Sequence, residues 1–164
     1  MKKIMILAAA VLMACLAASA QDGRSIYNKY SGKSGVESVY ISPAMFKMIG
    51  TLPSIELDSS DVDLAPVIRA LNGMYILSSS NAEVNASLPA EVSGFAEKGR
   101  MELLMEASDE GETVKMYTSS DRRDSDLING FLLFVSEPSE STYIYIDGSM
   151  SRKDFEALMN ASMQ

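Results

Sequence analysis

From Arg100 to Asp147 the chain alternates apolar and polar residues with the two-residue period of β-strands, interrupted by short turn signals. Met101, Leu103, Met105 and Ala107 alternate with Glu102, Leu104 and Glu106, which predicts a strand with one apolar face and one mostly charged face. Asp109-Glu110-Gly111 is a hairpin signal, and Val114 to Tyr117 forms the return strand. After the charged turn Asp121 to Asp126, the stretch Leu127 to Val135 is apolar on both faces, the signature of an inner strand. Glu137-Pro138-Ser139-Glu140 turns the chain again, and Thr142 to Asp147 alternates Tyr143 and Tyr145 with Ile144 and Ile146.

Upstream, the pattern is mixed. Ser25 to Tyr30 predicts one or two helical turns, and Val36 to Ile41, rich in β-branched and aromatic residues, predicts a first strand. Ser42-Pro43 is a helix start and Gly50 a stop, giving a helix over Pro43–Ile49. Asp63 caps an expected helix from Leu64 to Leu71, with Pro66 in its first turn and Asn72-Gly73 closing it. Met74 to Ser78 reads as a second strand and Pro89 to Lys98 as a helix that stops at Gly99. Ser151-Arg152-Lys153-Asp154 resembles a capping box and predicts a last helix over Arg152–Asn160, with Phe155, Leu158 and Met159 inward. The order β-α-α-β-α-β-β-β-β-α predicts an α+β fold: one mixed, mainly antiparallel sheet of about six strands, with helices packed on one face.

The first twenty residues stand apart from this pattern. Lys2 and Lys3 form a positive start, Ile4 to Leu16 is apolar, and Ala18-Ser19-Ala20 is a cleavage site of the A-x-A kind. The expected organisation is therefore a signal peptide over 1–20 and a single α+β domain over 21–164, exported to the periplasm or cell surface. No later stretch reaches the roughly 18 to 20 apolar residues of a membrane helix. Leu12-Met13-Ala14-Cys15 is close to a lipoprotein cleavage pattern, so a lipid anchor at Cys15 is the alternative, although Met13 fits that pattern poorly. Cleavage after Ala20 removes Cys15, the chain's one cysteine, and leaves a core without disulfides. It also lowers the basic residues from 14 to 12 against 22 acidic ones, a net charge of about −10. Such a balance argues against nucleic acid or an anionic membrane as partner.

Composition narrows the chemistry. With no histidine, Ser-His-Asp and Cys-His arrangements are excluded. With no cysteine left either, zinc, copper and iron–sulfur sites have no ligand set, and no cofactor is expected. Gly32-Lys33-Ser34-Gly35 lacks the spacing of a phosphate loop and reads as a turn. Two enzymatic routes stay open, a carboxylate pair in a cleft and a Ser-Lys dyad, but Glu102 and Glu106 read better as a solvated strand face. Asp58, Asp61 and Asp63, and likewise Asp121, Asp124 and Asp126, lack the spacing of a calcium loop. The methionines are read as core filling.

If Val114, Met116, Ile144 and Ile146 face the helices, Tyr117, Tyr143 and Tyr145 face the other way and rim an apolar patch open to a protein partner or a second copy of the chain. The competing expectation is that the segment around Tyr27 and Tyr30, or a loop, covers that face.

Lys29-Tyr30-Ser31-Gly32 leading into Val36-Glu37-Ser38-Val39-Tyr40-Ile41-Ser42 resembles the start of an exported Bacteroidetes family catalogued as domain of unknown function 4252. Leu71-Asn72-Gly73-Met74-Tyr75-Ile76-Leu77 and Ile144-Tyr145-Ile146-Asp147-Gly148-Ser149-Met150 look like its later segments. The resemblance implies an exported envelope protein, with some relatives lipid-anchored and many encoded near extracytoplasmic sigma factors, and it carries no catalytic residues. The expected function is a non-catalytic binding module of the envelope, the alternative being a carboxylate-dependent hydrolase of glycans or peptides.

Overall fold

A computed structural model describes residues 23–49, 70–121, 124–153 and 156. Six strands form one open sheet: β1 (Val36–Ile41), β2 (Leu71–Ser79), β3 (Glu102–Asp109), β4 (Glu112–Asp121), β5 (Asp124–Ser136) and β6 (Ser141–Ser151). Their spatial order is β1-β2-β6-β5-β4-β3, and every pairing is antiparallel, so the expected mixed sheet is corrected to a purely antiparallel one. Three helices are described: α1 (Arg24–Tyr30), α2 (Pro43–Ile49) and α3 (Ala82–Lys98). The expected helix from Leu64 lies outside the described residues up to residue 69. Leu71 itself opens β2, and Asn72-Gly73 forms an irregularity in that strand rather than a helix stop. The last expected helix is described only at Arg152, Lys153 and Glu156, which are helical.

Helix α3 begins seven residues before the expected Pro89. Asn81 caps it, its Oδ1 accepting from the Glu83 and Val84 amides at 2.9 and 3.1 Å. Pro89 sits inside the helix and forgoes the bond to the Asn85 carbonyl. Burial of Val84, Leu88, Val92, Phe95 and Ala96 along one stripe outweighs that loss. The helix closes with Met101 N–H donating to Ala96 and Arg100 N–H to Glu97, at 2.8 and 3.1 Å, a Schellman arrangement in which Arg100 takes the left-handed position (φ 52°).

The main core lies between the sheet and the layer of α1 and α3. Strand register puts Tyr40, Tyr75, Tyr145, Leu132, Tyr117 and Leu103 opposite one another in a single row across all six strands. Tyr40 stacks on Tyr75 at 4.9 Å and Tyr75 on Tyr145 at 6.4 Å, while Tyr27 of α1 and Phe95 of α3 meet this ladder edge-on at 5.4 and 5.7 Å. Arg24 lies over Tyr40 and Tyr75, 5.9 and 6.0 Å from the two ring centres. Two buried tyrosine hydroxyls find partners: Tyr143 donates to the Gly23 carbonyl at 2.8 Å, and Tyr30 meets Ser87 at 2.9 Å. A side chain at Gly23 would collide with the Tyr145 ring, the nearest ring atoms lying 2.3 Å from a Cβ there. Gly130, at φ 81°, shapes the β5 bulge where the Tyr145 hydroxyl passes 3.0 Å from the position of a Cβ. On the solvent side of the helical layer Lys29 donates to Glu91, and that bond holds the Lys29 pKa above its usual value; exposure of both groups keeps the tie weak.

Tyr117, Tyr143 and Tyr145 therefore do not rim an exposed patch. They belong to the core, with 8%, 0% and 9% of their surface accessible. Alternation separates two sets of side chains but does not say which set meets the helices. Here the tyrosines, with their large rings and with the Tyr143 hydroxyl reaching the Gly23 carbonyl, take the inside. The N-terminal segment carrying Tyr27 and Tyr30 packs over this face, as the competing expectation had it. Helices are also not confined to one face. Phe46 of α2 packs with Leu71, Ile128 and Met150, beside Ile41, Met74 and Ile146, at one end of the opposite face.

Replacing Tyr143 with Phe leaves the buried Gly23 carbonyl without its donor and is expected to cost about 1–3 kcal/mol in urea unfolding. Leu88→Ala is expected to cost about 2–5 kcal/mol. A Tyr143→Phe variant as stable as the parent would show that this bond does not hold α1 to the sheet.

Candidate functional site: the open end of the sheet

On the face opposite the tyrosines a second row crosses the sheet in register: Val39, Ile76, Ile144, Leu133, Met116 and Met105, one residue from each strand. Five inter-strand spacings make the row about 24 Å long. Its four inner members are half-buried and its two ends are exposed. No charged residue interrupts it.

Both rows end on β3, and β3 is the least covered element described. All eight of its residues are exposed. Leu103, at the end of the tyrosine row, is 45% exposed, and Met105, at the end of the aliphatic row, 43%. Leu104 between them is 46% exposed, because the register shifts there and an extra residue bulges from the strand. The helices rest on the other strands, α1 on β2 and α3 on β5, so the sheet overhangs its helical layer at this end.

The bulge also corrects two expectations. Leu103 and Met105 do not share a face, since Leu103 pairs with Tyr117 and Met105 with the next residue, Met116. Glu102 and Glu106 are likewise on opposite faces, paired with Thr118 and Lys115. Glu106 meets Lys115 across the strands at 3.1 Å. The two glutamates thus form no carboxylate pair. Leu104, an apolar residue in the polar half of the alternation, was the one sequence signal of the bulge.

A separate groove of about 450 Å³ lies between the start of α3 and the β5–β6 turn, lined by Ser80, Ala82, Asn85, Ala86, Glu137, Pro138 and Ser139. The Asn85 amide donates to the Ser139 carbonyl at 3.0 Å, and its buried Oδ1 has no hydrogen-bond partner among the described residues. Glu137 is its one carboxylate, whereas hydrolysis by a carboxylate pair needs two acids facing each other. Among the described residues no three histidine, cysteine or acidic side chains cluster to hold a metal ion, and no helix is long and apolar enough to cross a membrane. Asp58, Asp61 and Asp63 lie outside the described residues. In the second acidic group Asp121 ends β4 and Asp124 opens β5.

Exposure of the β3 trio predicts a sharp contrast in stability. Leu104→Ser is expected to change the unfolding free energy by less than about 1 kcal/mol. Leu132→Ala, in the middle of the tyrosine row, is expected to cost at least about 2 kcal/mol. Equal losses in urea titrations would mean that Leu104 is packed.

No curated protein and no solved structure matches the chain. A family model, Domain of unknown function (DUF4252), matches residues 30–158, which takes in all six strands and α3, and so the chain belongs to the DUF4252 family.

Proposed function

We propose that this protein is an exported, non-catalytic binding module of the cell envelope, serving envelope signalling or maintenance through a protein partner held at the open end of its sheet. The observation that carries this reading is the exposed trio Leu103, Leu104 and Met105, where an internal and an external apolar row both run out to an uncovered strand. Three adjacent large apolar residues exposed on one short strand are costly to leave in water and gain by being covered. The reading of export rests on residues 1–20, whose positive start, apolar run and A-x-A site have the form of a signal peptide, and it places the mature chain, from Gln21, in the periplasm or at the cell surface in association with the outer membrane.

The test is capture from an envelope extract of the source cells with tagged mature protein, comparing the parent with Leu104→Lys and reading both by quantitative mass spectrometry. A protein enriched on the parent and reduced about tenfold or more on the variant is expected, since an unpaired charge buried in an interface costs more than the 1.4 kcal/mol that a factor of ten represents. Identical capture by the two proteins would contradict the assignment of the binding surface.

A further inference from the structure

We infer that β3 is a docking edge that takes an extended segment of a partner protein as a seventh strand, and that this segment carries basic residues flanking an apolar centre. The inference rests on the binding-module reading and names the mode and chemistry of recognition.

The backbone supplies the first argument. Glu110 and Gly111 both have positive φ, 43° and 92°, the mark of a two-residue type I′ hairpin that closes on the Asp109–Glu112 pair. Such a turn makes Asp109 and Glu112 a hydrogen-bonded pair. Antiparallel alternation then pairs Ala107 with Val114 and Met105 with Met116 in the same way. Ser108 and Glu106, at the intervening positions, turn their N–H and C=O groups away from β4 and toward the edge. β3 is the last strand of the sheet, all eight of its residues are exposed, and among the described residues no strand pairs with its outer edge.

Side chains supply the second. A strand added beside Leu103 to Met105 would prolong the tyrosine row on one face and the aliphatic row on the other, so its central pair of residues is apolar on both sides. The surroundings are acidic: Glu102, Glu106 and Asp109 on the strand, and Glu110 and Glu112 at its turn, against Arg100 and Lys115. A second copy of the chain is a poor occupant. An antiparallel copy that set the two apolar trios against each other would also set Glu102 opposite Glu106 at both ends of the contact. Like charges directly opposite destabilise a ladder, and opposite charges stabilise it. The acids that oppose self-pairing therefore favour a basic segment. The other edge, β1, differs: Tyr40 is stacked on Tyr75 under Arg24, and Pro43 stands two residues beyond its last residue, Ile41.

The probe is a synthetic peptide with blocked ends and an Ile-Tyr centre flanked on each side by Lys-Val-Lys, compared with its twin carrying Glu for every Lys. Both are titrated into isotope-labelled mature protein and followed by amide shifts and hydrogen exchange. The lysine peptide is expected to perturb β3 and β4, to protect the Glu106 and Ser108 amides, and to bind about tenfold more tightly than its twin. A Glu102→Lys, Asp109→Lys variant, with an unfolding midpoint like that of the parent, is expected to reverse the preference. Equal binding of the twins, or unprotected Glu106 and Ser108 amides, overturns strand addition. Shifts confined to Met116, Leu133 and Ile144 also overturn it, while leaving binding by the sheet face intact. Identical capture in the Leu104→Lys comparison falls instead on the assignment of the binding surface, on which this inference rests.

Discussion

The structure depends on which way β6 points its side chains. Tyr143 and Tyr145 lie on a strand at the centre of the sheet, and their direction fixes every neighbouring strand, because a slip of one residue would exchange the two faces. Tyr143 is fully buried and holds the Gly23 carbonyl, which brings α1 down onto the sheet. Tyr145 stacks on Tyr75 and receives Phe95 edge-on, which seats α3. One pair of tyrosines thus anchors both helices of the main core. The small residues around them, Gly23 and Gly130, are what allow rings of this size to fit.

The same parity decides what is left over. Once the tyrosine row is inside, the aliphatic row from Val39 to Met105 is on the other face, with both its ends exposed and with Phe46 and its neighbours packed beside it on that face. α1 and α3 cover the sheet from the β2 side as far as β5. At β3 the sheet continues past them, carrying the ends of both rows into solvent. Acidic residues and a bulge, two features that keep strand edges from pairing indiscriminately, are both present there. In the proposed docking role an edge guarded in this way would be selective, and its charge would indicate what it accepts.

Much of this was legible in the residues. The order of strands and helices over the described segments follows from the period of hydrophobicity, and the hairpin at Glu110-Gly111 from its turn chemistry. Three things were not. Pro89 looks like a helix start, yet the helix begins at Ala82 behind the cap Asn81, whose side chain looks in sequence like part of a polar loop. The bulge at Leu104 inverts the faces of Leu103 and Met105, a one-residue shift that periodicity alone does not register. Above all, the alternation of tyrosine with isoleucine in β6 is ambiguous, because both are large enough to fill a core; what favours the tyrosines lies on other elements, the Gly23 carbonyl for the Tyr143 hydroxyl and the Phe95 ring for Tyr145. The site at β3 was obscured for the same reason, since the tyrosines drew attention to the face that is buried.

The central claim is that a closed tyrosine core and an open β3 edge coexist in one sheet. Residue-resolved hydrogen exchange on the protein alone tests it most directly. The account predicts strong protection for amides in β2, β5 and β6 beneath α1 and α3, and for Met105 and Ala107, which bond to β4. Glu106 and Ser108 should exchange at rates close to those of an unstructured chain. Protection of Glu106 and Ser108 as strong as that of their neighbours would show that the edge is already occupied, and would contradict the account.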